Sequence, residues 1–105
     1  MASSLDFVEF VCEQIASCGA IHHKKMFGEY MVYCNARPII LICDDTAFVK
    51  ILPETTKILG AGNAQGHPYK GAKPHYILDI DNREQMTELA TELTLITPLP
   101  KKKAK

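Results

Sequence analysis

No apolar run in this sequence approaches the roughly 20 residues that a membrane-spanning helix needs, and Met1 to Asp6 shows no basic start leading into an apolar segment. The expectation is a chain that is neither exported nor inserted in a membrane. The four cysteines, Cys12, Cys18, Cys34 and Cys43, lack the C-x-x-C spacing of zinc ribbons and redox motifs. Reduced thiols in a cytoplasmic protein are expected, with no metal and no cofactor. Serines occur only at Ser3, Ser4 and Ser17, and no G-x-S-x-G turn presents one as a nucleophile.

What is present points to one folded body. A length of 105 residues suits one hydrophobic core and not two, and 47% hydrophobic against 23% charged residues is ordinary globular composition. The formal charge of zero is unevenly spread. Lys101, Lys102, Lys103 and Lys105 hold four of the twelve basic residues, so eight basic against twelve acidic groups leave the rest at −4. Such a body is not the broad basic surface of a DNA-binding domain. Pro98, Pro100 and the lysine run predict that an ordered domain over residues 1–97 gives way to a flexible tail over 98–105.

Ser3 with Asp6 resembles a capping box, and Leu5, Val8, Cys12 and Ile15 recur at helical spacing. This predicts an amphipathic helix over 4–18, stopped by Gly19, with Asp6, Glu9 and Glu13 on its solvated side. From His22 to Leu52 the pattern changes to Val, Ile, Tyr and Phe punctuated at Asn35 to Arg37 and at Asp44-Asp45. Three or four antiparallel strands in a meander follow. The continuous apolar run Ile39 to Ile42 predicts a central strand covered on both faces. Pro53 and Gly60 bracket a short helix, residues 60–74 form a long irregular connection, and Tyr76 to Ile80 reads as another strand. Asp81 with Glu84 gives a second capping box ahead of Met86, Leu89, Ala90, Leu93 and Ile96, which predict a last helix over 82–96. The fold class is α+β in the order α-β(3-4)-α-β-α, two layers, with the sheet packed against the N- and C-terminal helices. An edge strand left open by the meander would allow a homodimer.

Lys24-Lys25-Met26-Phe27-Gly28-Glu29-Tyr30, then Tyr33-Cys34, Cys43-Asp44-Asp45 and Phe48-Val49-Lys50, resemble the TfoX N-terminal-domain family, related to the bacterial competence regulators TfoX and Sxy. Tyr69-Lys70-Gly71-Ala72-Lys73-Pro74, Asp81-Asn82-Arg83-Glu84 and the lysine-rich end are similar to short single-domain members. The resemblance covers nearly the whole chain. It implies helices on an antiparallel sheet, a role near transcriptional regulation, and no catalytic activity. Where family members often carry glycine, this chain has Met31 after the G-E-Y tyrosine and Ala36 in the turn after Tyr33-Cys34, and alanine tolerates positive φ less well.

Within that motif, Gly28 suits a bulge or close backbone approach, Met26, Phe27 and Tyr30 suit core contacts, and Lys24, Lys25 and Glu29 are left to form an interaction surface. Adjacent His22 and His23 point to opposite faces of a strand and do not share a metal. A turn at Asn35-Ala36 places Cys43 opposite Gly28, away from Cys34. Between residues 66 and 76, His67, Tyr69, Lys70, Lys73 and His75 gather cations and aromatic rings without an acid, a composition suited to an anion or single-stranded nucleic acid. Gly71-Ala72-Lys73 is no phosphate loop, since Gly-Lys-Ser/Thr running into a helix is missing. The plainer reading is a loop crossing the body with its tyrosines folded down. Taken together, the residues favour a regulatory or protein-interaction module, then weak nucleic-acid binding through the 66–76 loop and the lysine tail, and last an enzyme.

Overall fold

Helical periodicity at the start of the chain becomes α1 (Leu5–Gln14), followed by one 3₁₀ turn at Ala16–Cys18. The computed structural model describes residues 4–26 and 29–98, with the backbone alone at Met26. Expectations for Phe27, Gly28, the Met26 side chain and the tail beyond Pro98 lie outside the described residues. Four strands follow, β1 (Ile21–Met26), β2 (Glu29–Cys34), β3 (Arg37–Cys43) and β4 (Thr46–Lys50). Then come α2 (Pro53–Leu59), β5 (Gln65–Gly66), β6 (His75–Ile77) and α3 (Arg83–Ile96). The strands form one antiparallel sheet in the order β1-β2-β3-β4-β6-β5.

The two-layer α+β expectation holds, and so does the meander of four strands. β5 is the element that sequence reading missed: two residues within the 60–74 connection pair with β6, too few to show a period of two. Both helix caps fall one residue later than expected. Ser4, not Ser3, accepts from the Phe7 amide at 3.2 Å, and Asn82, not Asp81, accepts from the Gln85 amide at 3.1 Å. Each helix is preceded by two consecutive cap-competent residues; Glu84 and Gln85 let the box spacing fit both Asp81 and Asn82, whereas Ser4 is followed at that spacing by Phe7 and caps without a box. In α1 the buried positions are Val8, Val11 and Gln14, with Ile15 buried just beyond it, whereas Leu5 is about half exposed.

Both hairpin turns of the meander place two residues at positive φ, Asn35 and Ala36 at 52° and 69° and Asp44 and Asp45 at 51° and 53°. This is the mirror-image turn whose twist matches paired strands. Ala36 therefore stands where glycine would be unstrained. Asn35 also receives the Ala20 amide on its side-chain oxygen at 2.9 Å, and a Cβ on Gly19 would lie 2.7 Å from that oxygen.

One core lies between the sheet and the helices. Val32, Cys34, Ile40, Ile42, Ala47, Val49, Tyr76 and Leu78 project from one sheet face against Val8, Val11 and Ile15 of the first helical segment and Met86, Leu89, Ala90 and Leu93 of α3. Polar ties hold the layers in register. Buried Gln14 donates to the Ile80 carbonyl at 2.7 Å and accepts from Arg83 Nε at 3.1 Å, joining α1 to the start of α3. Arg37 donates to the Thr97 carbonyl at 2.8 Å, placing a cation at the C-terminal end of α3, where the helix dipole favours one. Thr55, fully buried, accepts the Leu52 amide and donates to the Lys50 carbonyl, turning β4 into α2, and Thr56 hydrogen-bonds the Tyr76 hydroxyl at 2.7 Å.

Candidate functional site

The sheet has a second face, and among the described residues no helix packs on it. Alternation along the paired strands assigns Lys24 of β1, Glu29 and Met31 of β2, Leu41 and Cys43 of β3, Phe48 and Lys50 of β4, and His75 and Ile77 of β6 to that outer face. Met31 pairs with Leu41, Leu41 with Phe48 and Phe48 with Ile77, so an apolar strip crosses four adjacent strands. Phe48 and Cys43 are each only 6% exposed, yet neither belongs to the core between the layers. β3 is internal in the sheet as expected, but the helices cover one face: Ile40 and Ile42 are buried against them, while Leu41 on the outer face is only half-buried.

Beside that outer face runs the loop of residues 67–74. It is braced internally: His67 Nδ1 lies 2.8 Å from the Ala72 carbonyl, the Ala72 amide donates to the Tyr69 carbonyl at 3.0 Å, and His75 Nδ1 lies 2.8 Å from the Lys73 carbonyl. A carbonyl only accepts, so both imidazoles donate through Nδ1. The Phe48 ring meets His75 edge-on at 6.4 Å between centroids. Gly66 permits this packing, because a Cβ there would lie 3.3 Å from the Phe48 ring.

Between the strip and the loop lies an open cavity of about 520 Å³. Met31, Leu41 and Phe48 line it on the outer face, Tyr69, Lys73 and His75 come from the loop side and Lys50 from the end of β4, while Ile39, Val49 and Leu93 of the core, with Thr97 and Pro98, carry it past the sheet to the end of α3. The cation–aromatic group read from the sequence is thus divided. Tyr69, Lys73 and His75 share the cavity, while His67 and Lys70 are exposed and outside its lining. Lys50, Met31, Leu41 and Phe48 were missed as site residues, because in a strand an apolar residue on the second face has the same alternation as one in the core.

Lys24 and Glu29 share the outer face on neighbouring strands, and Lys25 lies on the other. Lys24 and Lys25 are exposed neighbours on edge strand β1 and point to opposite faces. Glu29 also meets Cys43, for a reason that strand periodicity alone does not give. A register shift at Val32/Tyr33 changes the pairing from Tyr33–Pro38 to Val32–Ile40, an extra residue on β3, and carries Glu29 rather than Gly28 opposite Cys43. Burial first, then the Glu29 charge and a thiol-to-carboxylate hydrogen bond, push the Cys43 thiol up to about 12. Burial and Glu9 raise the Cys12 thiol as well. Both sulfurs are held as thiols, the form that is a poor nucleophile and a poor metal ligand.

His22 and His23 separate as expected. His22 stacks on Tyr33 at 4.8 Å, while His23 meets Tyr30 edge-on at 5.7 Å on the opposite face. Among the described residues no three His, Cys, Asp or Glu side chains are grouped to hold a metal ion, and no helix is long and apolar enough to cross a membrane.

The sequence pattern of the TfoX N-terminal domain matches residues 13–92, from the end of α1 to the third turn of α3. The chain belongs to the TfoX N-terminal domain family. It is also similar to the "uncharacterized 12.7 kDa protein in trpE 5′ region" of Spirochaeta aurantia, at 27% identity over 108 aligned positions that span all of this chain and 93% of that protein. The cavity is therefore built from segments inside the TfoX N-terminal match, apart from Leu93, Thr97 and Pro98.

Proposed function

We propose that this TfoX N-terminal domain is a cytoplasmic regulatory module that acts by non-covalent contact with another protein, in a process linked to transcriptional regulation, and carries out no chemistry of its own. The single observation behind this reading is the outer face of the sheet. An apolar strip from Met31 to Ile77 lies without a helical layer and is flanked by Tyr69, whose side chain is 52% exposed. Apolar strips rimmed by polar and aromatic groups are the surfaces that partners bury. Family membership supports the regulatory part of the reading, and the raised thiols of Cys12 and Cys43 weigh against cysteine catalysis.

Weak nucleic-acid binding is the second reading, favoured by exposed Tyr69 beside Lys70 and Lys73. Lysine-rich residues 101–105 would add an accessory electrostatic contact that fades with salt. Binding at physiological ionic strength by the intact protein, a deletion of residues 99–105, and Lys70→Ala with Lys73→Ala decides between the readings. The interaction reading predicts no salt-resistant nucleic-acid binding in any of the three forms. Tight binding lost with the loop substitutions would replace it. Homodimerisation through edge strand β1 is part of the proposal at the level of assembly, although His22, His23, Lys24 and Lys25 put charge-bearing side chains along that edge, as strands that avoid self-pairing do. Light scattering across concentration measures it.

A further inference from the structure

We infer that the cavity on the outer sheet face is a binding site for a small amphipathic organic anion, an apolar body carrying one carboxylate or similar group. The inference rests on the reading of this face as the binding face and gives it a ligand. Its volume of about 520 Å³ falls within the roughly 300–1,000 Å³ of small-molecule sites. Walls contributed by strands, a crossing loop and the end of a helix make it concave on several sides, unlike the long open groove an extended peptide needs.

Charge decides the class of ligand. Outside the tail the chain has twelve acidic and eight basic residues, yet the cavity lining includes no acid and takes in Lys50, Lys73 and His75. Both lysines are exposed, so neither is spent on a buried partner, and their long stems let the ammonium groups reach over the apolar lining. His75 is oriented by its Nδ1 contact to the Lys73 carbonyl, which leaves Nε2 as the second polar atom of the ring. Met31, Leu41 and Phe48 offer the complementary apolar surface. A nucleic acid would use such a place differently, stacking bases on exposed ring faces. The Phe48 ring is nearly buried and held edge-on to His75, which leaves Tyr69 as the one well-exposed phenyl or phenol ring in the lining, where successive bases need several stacking faces.

The test is an amide NMR titration of the full chain with three probes of equal length, octanoate, octan-1-ol and octylammonium. Octanoate is expected to shift the amides of Leu41, Phe48, Lys73 and His75 saturably. Octan-1-ol should bind about tenfold more weakly, the scale of one charge-assisted contact, and octylammonium more weakly still. Lys50→Gln with Lys73→Gln, both exposed and so compatible with folding, should bring octanoate down to the affinity of octan-1-ol while the remaining spectrum is unchanged. Equal affinity for all three probes, shifts centred elsewhere, no saturable shift, or tighter competition at the same amides by a single-stranded oligonucleotide would each overturn the inference. Because the titration uses purified protein alone, its failure is distinguishable from failure to capture a protein partner.

Discussion

Cys43 and Glu29 show how one residue of register decides chemistry. The extra residue in β3 brings a carboxylate to a buried thiol, and the outcome is a sulfur that keeps its proton. A thiol raised from 9.0 to about 12 favours the fold while it is protonated. Its contribution is complete below pH 9, where folded and unfolded chains both hold the proton, and is lost as pH rises toward 12. Cys43→Ala should therefore show a shallower fall in stability across that alkaline window than the parent, measured by denaturant melts at several pH values. An identical slope would contradict the assignment. Ala36, at φ 69°, carries left-handed strain, so Ala36→Gly should stabilise by about 1 kcal/mol, whereas Gly19→Ala should destabilise by a similar amount through its contact with the Asn35 amide. Of these residues the sequence made Ala36 legible, through the turn chemistry around it. The bulge had one mark that the strand pattern hides, Pro38 beside it, since a proline inside a strand sits at an edge or a bulge.

Helices and strands were legible where their periods run long. α1, α3 and the meander announced themselves by spacing, and α2 by Pro53 and Gly60. Cap positions were legible only to within one residue, since Asp81 and Asn82 both fit the box spacing and Ser4 caps its helix with Phe7, not an acid, three positions on. The observed geometry separates Asp81 from Asn82: Asn82→Ala should cost about 1 kcal/mol and Asp81→Ala less. Thermal melts of the two variants make the comparison. Gln14 was read as part of a helix and nothing more, yet it is 8% exposed and bonded to both Ile80 and Arg83. Removing it strands a buried carbonyl, so Gln14→Ala should destabilise by about 1–3 kcal/mol. A neutral result would mean that water replaces the amide.

At the scale of the molecule, helices on one side of a six-stranded sheet leave the other side, among the described residues, to one braced loop. The residues of that loop were recognised from their cations and rings, and Tyr69, Lys73 and His75 do meet in one cavity. Its strand-borne half was not legible, because Met31, Leu41 and Phe48 carry no mark in the sequence that separates an outer-face strip from a core. The central claim is that this strip is where a protein partner docks. The most direct measurement is capture from native cell extract at physiological salt, with and without nuclease, by the parent protein and by Met31→Glu with Leu41→Glu, two half-exposed positions whose substitution leaves the layer facing the helices intact. The account predicts a protein that survives nuclease on the parent and is lost from the double variant, whose amide spectrum remains folded. A partner that disappears with nuclease, or one held equally by the folded variant, would contradict it.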